Sequence, residues 1–199
     1  MKFDPQNHHR RSIRLKDYDY SQAGAYFITL VTQGRANLFG EIENGVMRLN
    51  RYGKIVQRAW MDLPYHYPDV TLEAFVVMPN HIHAIVVLQA DDAGKGGSIQ
   101  VSKSTSIITD PGKFITQDSR QTRPYGKRRY SLSELVRAFK SFSTRRINRI
   151  RDTHGISVWQ RNYYEHIVRN QAELENIGEY IAGNPQKWAT DEENPERPG

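Results

Sequence analysis

His81 and His83 are separated by a single apolar residue, Ile82. In a β-strand, side chains at i and i+2 point to the same face. Both imidazoles then stand side by side, and Ile82 turns the other way into a core. Two parallel imidazoles on a rigid strand make half of a metal site. A third ligand from elsewhere, with a substrate phosphate oxygen, would complete a site for Mg²⁺ or Mn²⁺. Far along the chain, Tyr180 and Asn184 are four residues apart, and on a helix they share a face. An amide oxygen there can reach a metal while the phenol beside it points at the same phosphate. Each residue also has a plainer reading. A His-x-His pair is common in strands, Tyr180 borders the apolar Leu174, Ile177 and Ile181, and Asn184 before Pro185 suits a helix C-cap.

Composition narrows the chemistry. The 199 residues fit one domain and contain no cysteine, which excludes disulfides and thiolate metal sites and suits a reducing cytoplasm. No window approaches the roughly 20 apolar residues of a membrane span, and the start of the chain lacks a signal-peptide core. The expectation is a cytoplasmic protein with no membrane partner. The net charge of +6 raises the prior for a polyanionic partner.

Basic residues cluster in three places. Arg10, Arg11 and Arg14 form an N-terminal arm over 1–21, Lys127, Arg128 and Arg129 close a polar segment, and Arg137, Lys140 and Arg145 lie on one face of a long amphipathic stretch. Glu134 is the only acid between Arg123 and Arg151, so nucleic-acid contact is favoured over a merely solvated face.

The elements that must position these groups follow from periodicity. Residues 25–32 are β-branched and aromatic and read as a central strand. Asn44-Gly45 between 38–42 and 46–49 signals a hairpin. Asn50 caps a helix running to about Leu63, which Pro64 ends. Residues 70–77 and 81–88 form two strands joined at Pro79-Asn80. Residues 89–130 read as an inserted loop. Ser131 and Glu134 form a capping box for a helix to about Arg151. A kinked strand over 156–168 and a last helix capped by Asn170 follow. The domain spans 22–188, and 189–199 reads as a loose tail.

Without the hairpin and the insertion, the order is strand, helix, strand, strand, helix, strand, then an extra helix. That order is the α+β, ferredoxin-like split βαβ arrangement, with an antiparallel sheet and helices on one face. The extra C-terminal helix carries Tyr180.

Pro79-Asn80-His81-Ile82-His83 resembles the HUH motif (His, hydrophobic, His) of single-tyrosine transposases. Trp159 to Asn170, with Ile177-Gly178-Glu179-Tyr180-Ile181 and Asn184-Pro185, is similar to the C-terminal block of the REP-associated tyrosine transposases. The resemblance runs from about Tyr26 to Trp188, excepting the insertion. It implies a nuclease and strand transferase acting on single-stranded or hairpin DNA, as a monomer or homodimer. It further implies that His81 and His83 bind a divalent metal, that Asn184 is the amide-type third ligand, and that Tyr180 is the nucleophile forming a 5′-phosphotyrosine. The wider superfamily often places Gln at the position of Asn184. Tyr163 and Tyr164 are rival nucleophiles of lower rank, because they lie on a strand with no amide at helical spacing downstream.

Two other classes compete. Ferredoxin-like sheets also serve as non-catalytic nucleic-acid-binding modules, but those have no use for a metal pair. A zinc protein with another hydrolytic role would want a carboxylate near the histidines, and the sequence offers none close by. The sequence leaves open whether Tyr180 completes its own His pair or a partner's.

Overall fold

The computed structural model describes residues 18–89 and 130–197. The arm residues Arg10, Arg11 and Arg14, the segment Lys127–Arg129 and most of the expected insertion lie outside the described residues.

Four strands form one antiparallel sheet: β1 (Gly24–Val31), β4 (Val70–Val77), β5 (His81–Leu88) and β6 (Tyr164–Val168), in the order β4-β5-β1-β6. A separate hairpin, β2 (Gly40–Glu43) and β3 (Val46–Leu49), turns at Asn44-Gly45, both with positive φ. Positive φ at both turn positions is what an Asn-Gly hairpin requires. The strand order is that of the ferredoxin-like fold, with β1 and β5 central.

The two faces of the sheet do different jobs, and alternation sets this. Tyr26, Ile28, Leu30, Ile82, Ala84 and Val86 point to one face and are buried against α1 (Arg51–Met61) and α3 (Leu132–Arg151). Trp60 of α1 stacks on Phe75 and meets Phe139 of α3 edge-on, tying the two helices to the sheet. The other face carries Ala25, Ile85 and Val168, covered by Leu174 and Ile181 of α4 (Gln171–Gly183). The crossover helices therefore share one face as expected, and the extra helix takes the opposite one.

The helix starts follow the capping chemistry of the sequence. Asn50 Oδ1 accepts from the backbone of Tyr52 and Gly53. Ser131 and Glu134 form the reciprocal capping box, and Asn170 Oδ1 accepts from Glu173 N at the start of α4. Gly53, unexpected inside a helix, has a reason. A Cβ there would lie 2.2 Å from the Phe39 carbonyl oxygen, so the chain before the hairpin packs directly on the helix backbone.

Three expectations need correction. Pro64 does not end the first helix. That helix stops at Met61, and Pro64 sits in the first turn of a short α2 (Leu63–His66), where a missing N–H costs nothing. The kinked strand over 156–168 shrinks to β6. Its first part reaches back to the end of β1 instead, with Gln33 N donating to Val158 O and Gln160 N to Val31 O. The cause is Trp159, buried between Phe39 and Phe139, whose Nε1 donates to Ser143 Oγ of α3. Finally, residues 189–197 do not hang loose. A 3-10 turn (Asn184–Thr190) continues from α4 and folds Asp191 and Glu193 onto the start of β5.

Candidate active site

The site lies at the start of β5, on the α4 face. His81 and His83 are the first and third residues of that strand, and both are buried. Their Nε2 atoms face one another at 3.0 Å. The expected orientation holds, with Ile82 in the core of the other face.

The outer nitrogen of each ring is already engaged. His81 Nδ1 lies 2.8 Å from Asn80 Oδ1. The Asn80 amide cannot be turned round, because its Nδ2 donates to the carbonyls of Arg35 and Glu193. Asn80 Oδ1 is thus an acceptor, His81 carries its proton on Nδ1, and its Nε2 presents a lone pair. His83 Nδ1 lies 2.8 Å from Thr29 Oγ1, on the register partner in β1. This is the outer-shell arrangement that fixes tautomer and ring angle in histidines that bind metals. Burial holds both rings well below the ordinary histidine pKa, and for His81 the neighbouring His83 adds to this. Both rings are neutral at neutral pH, as metal binding requires.

Two further groups close the site. Tyr180, on α4, brings its hydroxyl to 3.3 Å from His83 Nε2, within the same chain. Phe27 forms the floor, stacked on His83 and edge-on to Tyr180. Asp191 brings Oδ2 to 3.9 Å from His81 Nε2, and its side chain is 7% exposed. His81, His83 and Asp191 form a group able to hold a metal ion.

Asn184 lies beside the phenol and the carboxylate, where its amide favours the charged form of both Tyr180 and Asp191. It is buried, and its Oδ1 has no hydrogen-bond partner. Burial and the Asp191 charge raise the Tyr180 pKa, while the Asn184 amide pulls it down. Burial raises the Asp191 pKa as well, because nothing beside it is cationic enough to offset desolvation.

The sequence reading anticipated His81, His83, Tyr180 and Asn184, and all four meet here. It missed Asp191, which lies beyond the helix in a stretch of mixed acids with no periodicity. The nearest signal was the acidic run Asp191-Glu192-Glu193 directly after the Asn184-Pro185 block.

The basic residues of α3 stand elsewhere. Because α3 covers the opposite face of the sheet, Arg137 and Arg145 are exposed on the far side from Tyr180. They border a groove of about 380 Å³ with Tyr67, Tyr130 and Phe142. Lys140 is committed internally. Its Nζ donates to the carbonyls of Gln160, Arg161 and Asn162, and burial lowers its pKa to about 8.

Comparison with known proteins agrees with this geometry. An uncharacterised protein of Haemophilus influenzae is 37% identical over 191 residues, 96% of each chain. A putative REP-associated tyrosine transposase of the same organism is 25% identical over 169 residues, 85% of this chain and 74% of that one. The sequence profile described as "Transposase IS200 like" matches residues 126–184, which include Tyr180 and Asn184. Over those residues the chain is similar to the IS200-like transposases, and over most of its length to a REP-associated tyrosine transposase. The fold is also that of a solved REP-associated tyrosine transposase bound to a REP hairpin. That protein is 19% identical, with a TM-score of 0.53 over 87% of this chain and 73% of its own. No helix among the described residues is long and apolar enough to cross a membrane.

Proposed function

We propose that the protein is a metal-dependent transesterase that cuts and rejoins single-stranded DNA through a phosphotyrosine, using Tyr180 as nucleophile. The observation that carries this reading is the Tyr180 hydroxyl at 3.3 Å from His83 Nε2, beside a buried His-His-Asp group. A phenol with no strong base of its own has little reason to be held half-exposed at such a place unless it reacts.

The donor set fits a divalent cation. Two Nε2 atoms converge, the opposite nitrogens are tied down, a buried carboxylate stands beside them, and the Asn184 Oδ1 is an unpartnered buried acceptor. His81, His83 and Asp191 would hold Mg²⁺ or Mn²⁺, with Asn184 as a further oxygen donor. The mixed imidazole and carboxylate set suits Mn²⁺ at least as well as Mg²⁺. When bound, the cation supplies Lewis acidity that polarises a phosphoryl oxygen and offsets developing charge.

The chain's own residues do the rest. Tyr180 Oη forms a bond to phosphorus as the bond to the 3′ oxygen breaks. The phenol gives up its proton and the 3′ oxygen gains one, leaving a 5′-phosphotyrosine and a free 3′-hydroxyl. The phosphotyrosine keeps the bond energy, so a 3′-hydroxyl from another strand can reverse the step without ATP. The Asn184 amide beside the phenol favours its ionised form, and Phe27 packs edge-on against the ring. Tyr180 serves the His pair of its own chain in this reading. Hairpin DNA is the favoured substrate shape, with Arg137 and Arg145 contacting backbone phosphates and Arg10, Arg11, Arg14 and Lys127–Arg129 adding basic contacts. Lys140 is better described as a brace for the 160–162 loop than as a DNA contact.

The test incubates the protein with labelled hairpin DNA carrying single-stranded flanks and Mn²⁺, then looks for a covalent adduct after denaturation. A Tyr180→Phe chain should form none while still binding the DNA. An adduct that survives the substitution removes Tyr180 from the role. The absence of any adduct in the unsubstituted chain, with binding intact, favours the non-catalytic binding module.

A further inference from the structure

Tyr163 and Tyr164 straddle the edge of the sheet. Among the described residues β6 is an outermost strand, paired only to β1. Successive side chains on it point to opposite faces. Tyr163 packs against the α3 side, with Lys140 Nζ 5.3 Å from its ring centre. Tyr164 faces the other way, into the site.

There Tyr164 belongs to a row. His83, Thr29 and Tyr164 are register partners across β5, β1 and β6, so they stand side by side on the α4 face. Two strand spacings, about 10 Å, separate His83 from Tyr164. Phe27 links the row to the nucleophile, 6.0 Å from Tyr164 and 6.2 Å from Tyr180, edge-on to both. Tyr164 and Tyr180 are 43% and 42% exposed, which is high for tyrosines beside a core. The Tyr164 hydroxyl makes no hydrogen bond among the described residues. It does not attack in the reading above, and it packs only partly.

We infer that Tyr164 is a stacking platform for a nucleobase next to the scissile phosphate, positioned by Phe27 at the β6 edge. This rests on the functional reading of Tyr180. An exposed aromatic about two strand spacings from the reactive centre matches what single-stranded DNA needs. Its phosphates must reach the buried polar group, while its bases, which have π-faces and no partner strand, need flat apolar surface. A base held on Tyr164 sets where the strand crosses the site, so Tyr164 is a positioning residue for the phosphate that Tyr180 attacks. It also marks the sheet edge by which a strand leaving the α3 side reaches the α4 side.

The experiment uses the full chain carrying Tyr180→Phe, so that DNA binds without being cut. The probe is a DNA hairpin with short single-stranded flanks bearing 2-aminopurine at one flank position at a time, with Mn²⁺ present. One flank position should lose fluorescence on binding. Adding Tyr164→Ala should restore it and weaken binding of the flanked hairpin by about fivefold or more. Tyr164→Phe and Tyr164→Trp should keep the quenching, since both keep the ring. Binding of a blunt hairpin without flanks should not change in any variant. With Tyr180 intact, Tyr164→Ala should raise KM for the flanked hairpin more than it lowers kcat. Quenching that survives Tyr164→Ala overturns the inference and leaves the functional reading standing. So does an equal loss of blunt-hairpin binding, which would mark a structural role. Failure of any flanked hairpin to bind overturns both.

Discussion

Thr29 Oγ1 lies 2.8 Å from His83 Nδ1, across the β1–β5 register that pairs the two residues. The contact joins two central strands on the site face. It fixes the ring so that Nε2 points at His81 Nε2 and the Tyr180 hydroxyl. Thr29→Val keeps the shape and removes the hydroxyl. Mn²⁺ affinity, read by calorimetric titration, should fall by about 10- to 100-fold, as is usual when a partner of a metal-binding histidine is lost. The thermal midpoint should move little. An unchanged affinity would show that the ring is oriented by packing alone.

Asp191 should matter twice. Asp191→Asn removes the carboxylate from the His-His-Asp group, and Mn²⁺ affinity should drop at least tenfold. The same change should lower the Tyr180 pKa in the metal-free protein. A negative charge nearby disfavours the phenolate, and Asp191 is one of the groups that raise this pKa. Carbon-13 tyrosine spectra, assigned with Tyr180→Phe, would read the titration. A Tyr180 pKa that stays put would place the carboxylate too far away to act on the phenol.

Glu173 ties α4 to β6. Its carboxylate accepts from Arg169 N at 2.7 Å and meets His166 Nε2 at 2.6 Å. The Arg169 backbone bond, then the His166 bond, lower its pKa below the ordinary carboxylate value. A carboxylate with a lowered folded pKa contributes stability above its unfolded pKa and loses it as pH falls through the folded one. The stability difference between the unsubstituted chain and Glu173→Gln should be full at neutral pH. It should shrink as pH falls through and below the carboxylate range. Urea melts at stepped pH would measure it, and a difference that grows with acid would contradict the assignment.

Gly53→Ala tests the packing of the hairpin approach on α1. In an ordinary helix interior the change is stabilising by roughly 1 kcal/mol. Here the added Cβ would lie 2.2 Å from the Phe39 carbonyl oxygen, and backbone must move. The expected result is destabilisation on the order of 3 kcal/mol, visible as a lower denaturation midpoint. A gain in stability would show that the close approach is easily relaxed.

Much of the fold was legible because the signals were local. Asn-Gly specified the hairpin, the Ser131–Glu134 box and Asn170 specified helix starts, and alternation around Ile82 put both histidines on one face. The misreadings were tertiary. Residues 156–160 have the composition of a strand, but with the Trp159 side chain drawn into the core they meet the end of β1 only through an isolated bridge, Thr32–Trp159, and do not extend β6. Pro64 looked like a terminator because its permitted place, the first turn of a new helix, depends on how the chain restarts after Asp62.

The sequence by itself determined the candidate groups: two imidazoles with i, i+2 spacing, and a phenol with an amide one helical turn later. Those relations hold for any regular strand or helix, so they needed no knowledge of the rest of the chain. Only the tertiary structure decided that the two halves meet, because α4 crosses to the sheet face away from α1 and α3. It also decided that the tail folds back to bring Asp191 beside His81, and that the basic face of α3 looks away from the site. None of these has a local pattern. Each is fixed by which apolar faces must be buried against which, and that is settled only when all the elements pack together.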